Sequence, residues 1–431
     1  MRACRSGGDM SVVHEVEAKT REAKEASRRL SRASSSTKDS ALLAMAETLM
    51  RNAEAIENAN KFDLASGEKK GLSPVLLDRL RLNQKRIEGM AVGLRALANL
   101  EDPVGKISEI NRRPNGLLVG KMRVPLGVIG MVFESRPNVT ADIAGLCIKS
   151  GNAIVMRGGS EAIHSNKLLV ELLSTAAGSS GIPSAAIQLI ESTNREGVRA
   201  LATSDGFVDL MVVRGGPELV RVVSEYATVP LIAHGKGLCH IYVDKDADLS
   251  RASDIAFNAK VQRPSVCNAM ETLLVHEEVA PVFLEPLVRR LCDAGVELVG
   301  CARTLELLKG KCAVLPATDD DWDTEYLSLK LSIRVVRDCE EAVEHIFRYG
   351  CGHSEAIVTE NYSTAMRFLH EVDAAAVLVN ASTRLVDGFE LGLGAELGIS
   401  TQKLHARGPM GLMELTCEKF VVLGQGQIRE G

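Results

Sequence analysis

From about residue 11 to residue 100 the apolar positions recur every three or four residues, in EVEAKTREAKEASRRL, SALLAMAETLMRNAEAIENANK, SPVLLDRLRL and QKRIEGMAVGLRALANL. That is the period of helices burying one face, so the chain opens on an all-helical segment. The next stretch, GLLVGKMRV at residues 116–124, lies between Pro114 and Pro125 and reads as an extended strand or hairpin arm projecting from the body. Beyond it the pattern alternates. Apolar runs LGVIGMVF, NAIVMR, AIQLI, VDLMVV and PLIAH are separated by the helical stretches PNVTADIAGLCIKSG, EAIHSNKLLVELLSTAA, NREGVRALAT and PELVRVVSEYA. Strands apolar on both faces and joined through helices predict a parallel sheet covered on each side.

A second alternation begins near Cys239 with HIYVD, DLSRASDIAFNAK, ETLLVH and EEVAPVFLEPLVRRLCDAG. It continues through LSIRVV, CEEAVEHIFRYG, EAIVT, STAMRFLHEV and AAVLVN, with the acidic stretch ATDDDWDTE before it read as a loop. The fold class is therefore α/β, with a second α/β domain after the first. A length of 431 residues agrees with two or three domains. The net charge of −5 and an aromatic fraction of 3% argue against nucleic acid, which calls for a basic surface and stacking platforms. No apolar run approaches the roughly 20 residues of a membrane span. The basic start MRACRSGGDM is followed by His14, Glu15, Glu17 and Lys19 where a signal peptide needs an apolar core, so a cytoplasmic protein is expected, with Met1 or Met10 as its start. The ten cysteines include no C-x-x-C pair, which fits a reducing compartment. Cys339, His345, Cys351 and His353 match no common zinc spacing, and no metal is expected.

Ligands of parallel sheets sit at the carboxyl ends of strands, and two double-glycine turns fall there. Arg157-Gly158-Gly159-Ser160 and Arg214-Gly215-Gly216 each join a strand to a helix, where backbone N–H groups can approach a phosphate, although such glycines also serve as plain turns. Cys267 stands between the end of one helix and the start of the next strand. A thiol in such a turn is a candidate nucleophile or an inert buried side chain, and His234, His240 and His353 are candidate bases that no spacing separates. Residues 380–384, NASTR, and 388–412, GFELGLGAELGISTQKLHARGPMGL, lack helical or strand period. Thr383, Arg384 and Ser400 in them suit a charged small molecule or an inter-subunit loop equally well.

Taken together, VPLGVIGMVFESRPNV, KSGNAIVMRGGSEAIHSN, QRPSVCNAMETLLVH, HSEAIVTEN and NASTR with GLGAELGISTQKLHARGPMGL closely resemble the γ-glutamyl phosphate reductases, or glutamate-5-semialdehyde dehydrogenases, of the aldehyde dehydrogenase superfamily. The resemblance runs from about residue 11 to residue 428 and implies a stand-alone reductase without a fused kinase. It implies a Rossmann-like cofactor domain over 11–109 and 126–237, a catalytic domain over 238–412, and an oligomerisation arm and tail over 110–125 and 413–431. The implied activity is NADPH-dependent reduction of L-glutamyl 5-phosphate to L-glutamate 5-semialdehyde in L-proline biosynthesis, with release of phosphate through a cysteine thioester.

By the same resemblance Cys267 is the nucleophile, with backbone N–H groups near Cys267 and Asn268 stabilising the oxyanion. NADPH/NADP would meet Arg157 near the adenosine ribose, the turns Gly158, Gly159, Ser160, Gly215 and Gly216, and Glu325 at the nicotinamide ribose. Arg136 and Asn138 of the ESRPN turn, with Thr383 and Arg384, would meet the substrate, because a guanidinium grips carboxylate and phosphate alike. Expected partners are the small-molecule substrate, further copies of the chain, and glutamate 5-kinase. The segment PLIAHGKGLCH has no carboxylate where hydrolytic relatives activate water, and His234 stands at about that place. The competing readings are a hydrolytic aldehyde dehydrogenase and a catalytically silent protein that keeps the fold as a binding partner.

Overall fold

The computed structural model describes residues 7–233 and 235–429. It opens with five helices: α1 (Gly7–Leu30), α2 (Ser35–Arg51), α3 (Ala53–Lys69), α4 (Pro74–Leu80) and α5 (Gln84–Asn99). In α1 the buried residues Val16, Thr20, Ala23, Ser27 and Leu30 fall on one stripe at helical spacing. The continuous pattern predicted across residues 40–61 breaks in two at Asn52, whose backbone leaves the helical region and whose Nδ2 donates to Thr48 O at 2.8 Å. Side-chain caps start the other helices: Ser34 for α2, Ser73 ahead of Pro74 for α4, and Asn83 for α5.

An antiparallel hairpin follows, β1 (Ile107–Arg112) and β2 (Leu118–Pro125). Strand β1 has every residue exposed, which is why ISEINR carries no apolar alternation to predict it. Then come β3 (Val128–Phe133), α6 (Asn138–Lys149), β4 (Ala153–Gly158), α7 (Ile163–Ser179), β5 (Ile187–Leu189), α8 (Glu196–Ala202), β6 (Leu210–Arg214), α9 (Pro217–Tyr226) and β7 (Leu231–Ala233). The five strands form one parallel sheet in the order β5-β4-β3-β6-β7, and β3 and β4 are buried along their whole length.

The second compact unit, residues 235–391 and 399–409, begins with β8 (Cys239–Val243), α10 (Leu249–Val261), β9 (Met270–His276) and α11 (Ala280–Asp293). It continues with β10 (Glu297–Gly300), α12 (Ala302–Leu308), β11 (Leu315–Pro316), α13 (Asp319–Trp322), β12 (Lys330–Val336), α14 (Cys339–Tyr349), β13 (Ser354–Val358), α15 (Tyr362–Glu371) and β14 (Ala376–Val379). These strands make a seven-stranded sheet, all neighbours parallel, in the order β11-β10-β12-β9-β8-β13-β14. The acidic stretch expected to be a loop folds its middle into α13, because Thr318 and Asp321 cap the turn reciprocally. A two-residue pair, β15 (Ile399–Ser400) with β16 (Gly408–Pro409), closes the glycine-rich segment. The last strand, β17 (Thr416–Leu423), returns to the first unit and pairs with β2 from Thr416↔Pro125 to Leu423↔Leu118. The projecting arm and the tail are thus one three-stranded antiparallel sheet, β1-β2-β17.

Candidate active site

In the first unit the residues of interest stand where β3, β4 and β6 end. At three of the four double-turn glycines a side chain packs where a Cβ would stand, whereas Gly216 has open space. A Cβ at Gly158 would lie 2.1 Å from Asn166 Nδ2, one at Gly159 2.1 Å from Glu161 Oε1, and one at Gly215 2.5 Å from Leu219 Cδ2. Two carboxylates lace the loops together: Glu161 accepts from the N–H and hydroxyl of Ser135 at 2.7 and 2.9 Å, and Glu134 accepts from the Gly216 N–H at 3.0 Å. The Gly216 N–H that leads into α9, expected to face a phosphate, is therefore occupied by a carboxylate of the chain itself. Negative charge at that helix start is favourable on its own account. Ser160 is exposed beside these turns. Arg157 is 9% exposed and donates to Gly158 O at 3.0 Å and Thr193 O at 2.7 Å. Its Nε has no partner among the described residues. Burial lowers its pKa, opposed by the nearby Glu161 and Glu134 carboxylates, and Arg195 adds a second cation close by.

The ESRPN turn links β3 to α6. Ser135 sits at φ +49°, a left-handed conformation costly for a residue with a side chain, and Arg136 beside it is half-buried. Asn138 opens α6 and donates Nδ2 to Asp142 Oδ2 at 3.1 Å. Burial pushes Asp142 up to about 6 despite the opposing pull of Arg214 and of the Asn138 amide.

In the second unit Cys267 lies in a turn just before β9, at the amino end of that strand, so the rule that places ligands at carboxyl ends does not find it. Its carbonyl accepts from the Cys239 thiol at 3.2 Å. Gly237 passes so close that a Cβ there would stand 2.2 Å from Cys267 O and 2.5 Å from its Cα. Burial holds the neighbouring sulfurs as thiols, Cys239 well above its ordinary range and Cys351 pushed up to about 12. Cys267 is half-buried, and its thiol makes no hydrogen bond among the described residues.

The next residue ties distant chain to this turn. Asn268, 4% exposed, donates Nδ2 to Val386 O at 2.9 Å and accepts from the Arg384 guanidinium, which also donates Nε to Gln262 Oε1 at 2.9 Å. The Asn268 side chain is thus occupied structurally, by Val386 and Arg384. Thr383 is fully buried, its hydroxyl without a partner among the described residues, whereas Ser400 is buried and accepts from Gln402 N at 3.2 Å.

Of the three candidate bases, His240 is fully buried against Glu355 at 2.9 Å, and His353 pairs with Ser354 Oγ at 2.8 Å. His234 lies outside the described residues. The four residues weighed as metal ligands do not converge, and among the described residues no group of three or more His, Cys, Asp or Glu side chains could hold a metal. His345 instead packs against His240, Trp322 and Tyr349.

Glu325 stands half-buried in the loop between α13 and β12, and burial raises the pKa of Glu271 and Cys351 with a smaller push from the nearby Glu325 carboxylate. Sequence reasoning passed over the residues that hold this loop. Lys236 donates to Asp323 O at 3.0 Å and Oδ2 at 2.8 Å, and Glu271 accepts from Leu327 N at 3.2 Å. A signal for Glu271 did exist: a carboxylate inside the apolar strand METLLVH, buried on both faces, requires a cation, and Lys260 supplies it at 2.6 Å.

The family model described as aldehyde dehydrogenase family matches residues 9–297. The chain belongs to the aldehyde dehydrogenase family. Within it, the chain is 56% identical to the γ-glutamyl phosphate reductase of Caldanaerobacter subterraneus subsp. tengcongensis, over 96% of this chain and 100% of that one. It is also 56% identical to the γ-glutamyl phosphate reductase of Moorella thermoacetica, over 98% and 100%. The crystal structure of γ-glutamyl phosphate reductase from Thermotoga maritima matches with a TM-score of 0.92 at 46% identity, over 96% of this chain and 100% of that one. An acetylating aldehyde dehydrogenase from Geobacillus thermoglucosidasius, 19% identical with a TM-score of 0.68, shares the aldehyde dehydrogenase fold. No described helix is long and apolar enough to cross a membrane.

Proposed function

We propose that the chain is a γ-glutamyl phosphate reductase that takes L-glutamyl 5-phosphate to L-glutamate 5-semialdehyde and inorganic phosphate, in the biosynthesis of L-proline. The observation that carries the reading is the Arg384–Asn268 contact, which sets a guanidinium beside the turn of the nucleophile in a chain 56% identical to two such reductases. The Cys267 thiolate attacks the γ-carbonyl carbon, a C–S bond forms, and the C–O bond to phosphate breaks with its electron pair leaving on phosphate. Backbone N–H groups at Cys267 and Asn268 face the oxyanion, and Arg136 and Arg384 balance the charge of phosphate and α-carboxylate. NADPH supplies, when bound, the hydride that takes the thioester to the aldehyde level. Collapse of the C–S bond then frees the semialdehyde and returns the thiolate.

The first unit fits a phosphorylated dinucleotide. Its buried Arg157 keeps an unpartnered Nε next to a second cation, Arg195, at the carboxyl ends of a parallel sheet. Gly158, Gly159, Ser160, Gly215 and Gly216 shape that edge, and in the second unit Glu325 would hold the nicotinamide ribose. Asn138 and Thr383 complete the substrate contacts in this reading. The β1-β2-β17 sheet, with Ile110 52% and Phe420 71% exposed, is the surface through which copies of the chain would associate in the cytoplasm. An acyl phosphate is labile, which is the chemical reason for glutamate 5-kinase as a partner.

The test runs the reaction backwards. With glutamate 5-semialdehyde and NADP⁺, steady NADPH formation should require inorganic phosphate or arsenate as acyl acceptor, with at most a burst equal to the enzyme when neither is present. Sustained acceptor-independent turnover that releases glutamate would make the protein a hydrolytic dehydrogenase instead.

A further inference from the structure

We propose that the buried Lys260–Glu271 pair is a positioning element for the cofactor, acting through the loop that carries Glu325. The inference rests on the reading of Glu325 as the ribose ligand. Lys260 at the end of α10 is 0% exposed and Glu271 in β9 is 1% exposed, with Nζ and Oε2 2.6 Å apart. A buried ion pair is weak evidence for stability, because desolvation consumes most of its attraction and an apolar pair of equal size often serves as well. What an apolar pair cannot offer is a hydrogen-bond acceptor.

Glu271 spends its second oxygen on one. Oε1 accepts from Leu327 N at 3.2 Å, two residues beyond Glu325. Leu327 has φ +51°, a left-handed conformation that a branched side chain keeps only when its surroundings impose it. Tyr326, between them, has Lys260 5.9 Å and Lys330 5.0 Å from its ring centre and donates its hydroxyl to Asp321 Oδ1 at 2.9 Å. Two residues before Glu325, Asp323 is held by Lys236 through both its carbonyl and its carboxylate. Glu325 is therefore presented between two anchored residues while making no hydrogen bond of its own among the described residues. Burial pushes the Glu271 carboxyl up to about 7 and the neighbouring Glu325 carboxylate adds to the rise, while Lys260 and the Leu327 N–H oppose it. Lys260 also fixes Oε2, which leaves Oε1 turned to Leu327 as the acceptor that forms this anchor.

The discriminating experiment replaces the pair by an apolar one, Lys260→Met with Glu271→Leu, and in parallel makes the milder Glu271→Gln, which preserves an acceptor if packing suffers in the first. The double replacement should raise the KM for NADPH about ten-fold while kcat changes less than about three-fold, and Leu327 should lose amide-exchange protection. Glu271→Gln should move KM the same way by less. In a Glu325→Gln background the double replacement should add less than about two-fold, because the residue it positions is already gone. An unchanged KM, or a full ten-fold rise in the Glu325→Gln background, would overturn the proposal. A Glu325→Gln variant whose own KM for NADPH is normal would instead overturn the reading of Glu325, a separate result.

Discussion

Two single residues carry the sharpest expectations. Gly237 has no room for a methyl group, since its Cβ would stand 2.2 Å from the Cys267 carbonyl oxygen and 2.6 Å from the Cys267 Cβ. Both contacts are with a turn that cannot retreat without moving the thiol, so Gly237→Ala should cost about 100-fold in kcat, the order of loss expected from roughly 1 Å of misplacement. Stopped-flow reduction of the acyl phosphate, read beside alkylation of Cys267 by iodoacetamide, checks this; near-normal rates would mean that the turn yields freely. Arg157 makes a different claim. Two of its N–H groups already serve Gly158 O and Thr193 O, so the turn and the cofactor compete as reasons for its presence. If it meets the 2′-phosphate, Arg157→Ala should raise the KM for NADPH more than that for NADH, by the 1.5–3 kcal/mol typical of a charge-assisted contact. Equal losses with both cofactors would assign it to the turn alone. The double glycines and Cys267 were legible because glycine and cysteine are conspicuous types. Glu134, Glu161 and Lys236 were not, because a lone charged residue in a loop looks like solvated surface until its partner is placed beside it.

At the scale of elements, the predicted strands and helices with strong periodicity recur in the structure, and the missed ones share a cause. Strand β1 has no buried residue, and β10 and β11 have four and two residues, too few for a pattern to form. The tail becomes β17 only because β2 waits to pair with it, across eight residues at each strand. That pairing can be tested by ending the chain at Leu415, which removes β17 and leaves the two α/β sheets untouched. The shortened protein should keep its helix and parallel-sheet content by circular dichroism but show a smaller mass than the full chain by light scattering. An unchanged assembly mass would place the association surface elsewhere.

The whole molecule adds what no window of sequence holds. Its stability should depend on pH through Asp142, which is held up to about 6 from an ordinary 3.8, chiefly by burial. The native state keeps that proton more tightly than the unfolded chain does. The stability it contributes is therefore complete below about pH 4 and is lost as pH rises to about 6, worth roughly 2 kcal/mol after allowing for partial exposure. Asp142→Asn should flatten that window of the denaturation profile, and an unchanged slope would assign the titration to other groups. The sequence by itself determined the helical opening and the two alternating α/β regions, because helices that bury one face impress a 3.6-residue period and strands buried on both faces leave short continuous apolar runs, and its motifs carried the resemblance to the family. Tertiary structure alone decided which loops meet. Arg384 reaches Asn268 across 116 residues, Glu271 takes the N–H of Leu327 across 56, and Glu134 occupies the Gly216 N–H across 82. Such partners are chosen by the order of strands in a sheet, which follows from how the faces pack together and leaves no periodic trace along the chain.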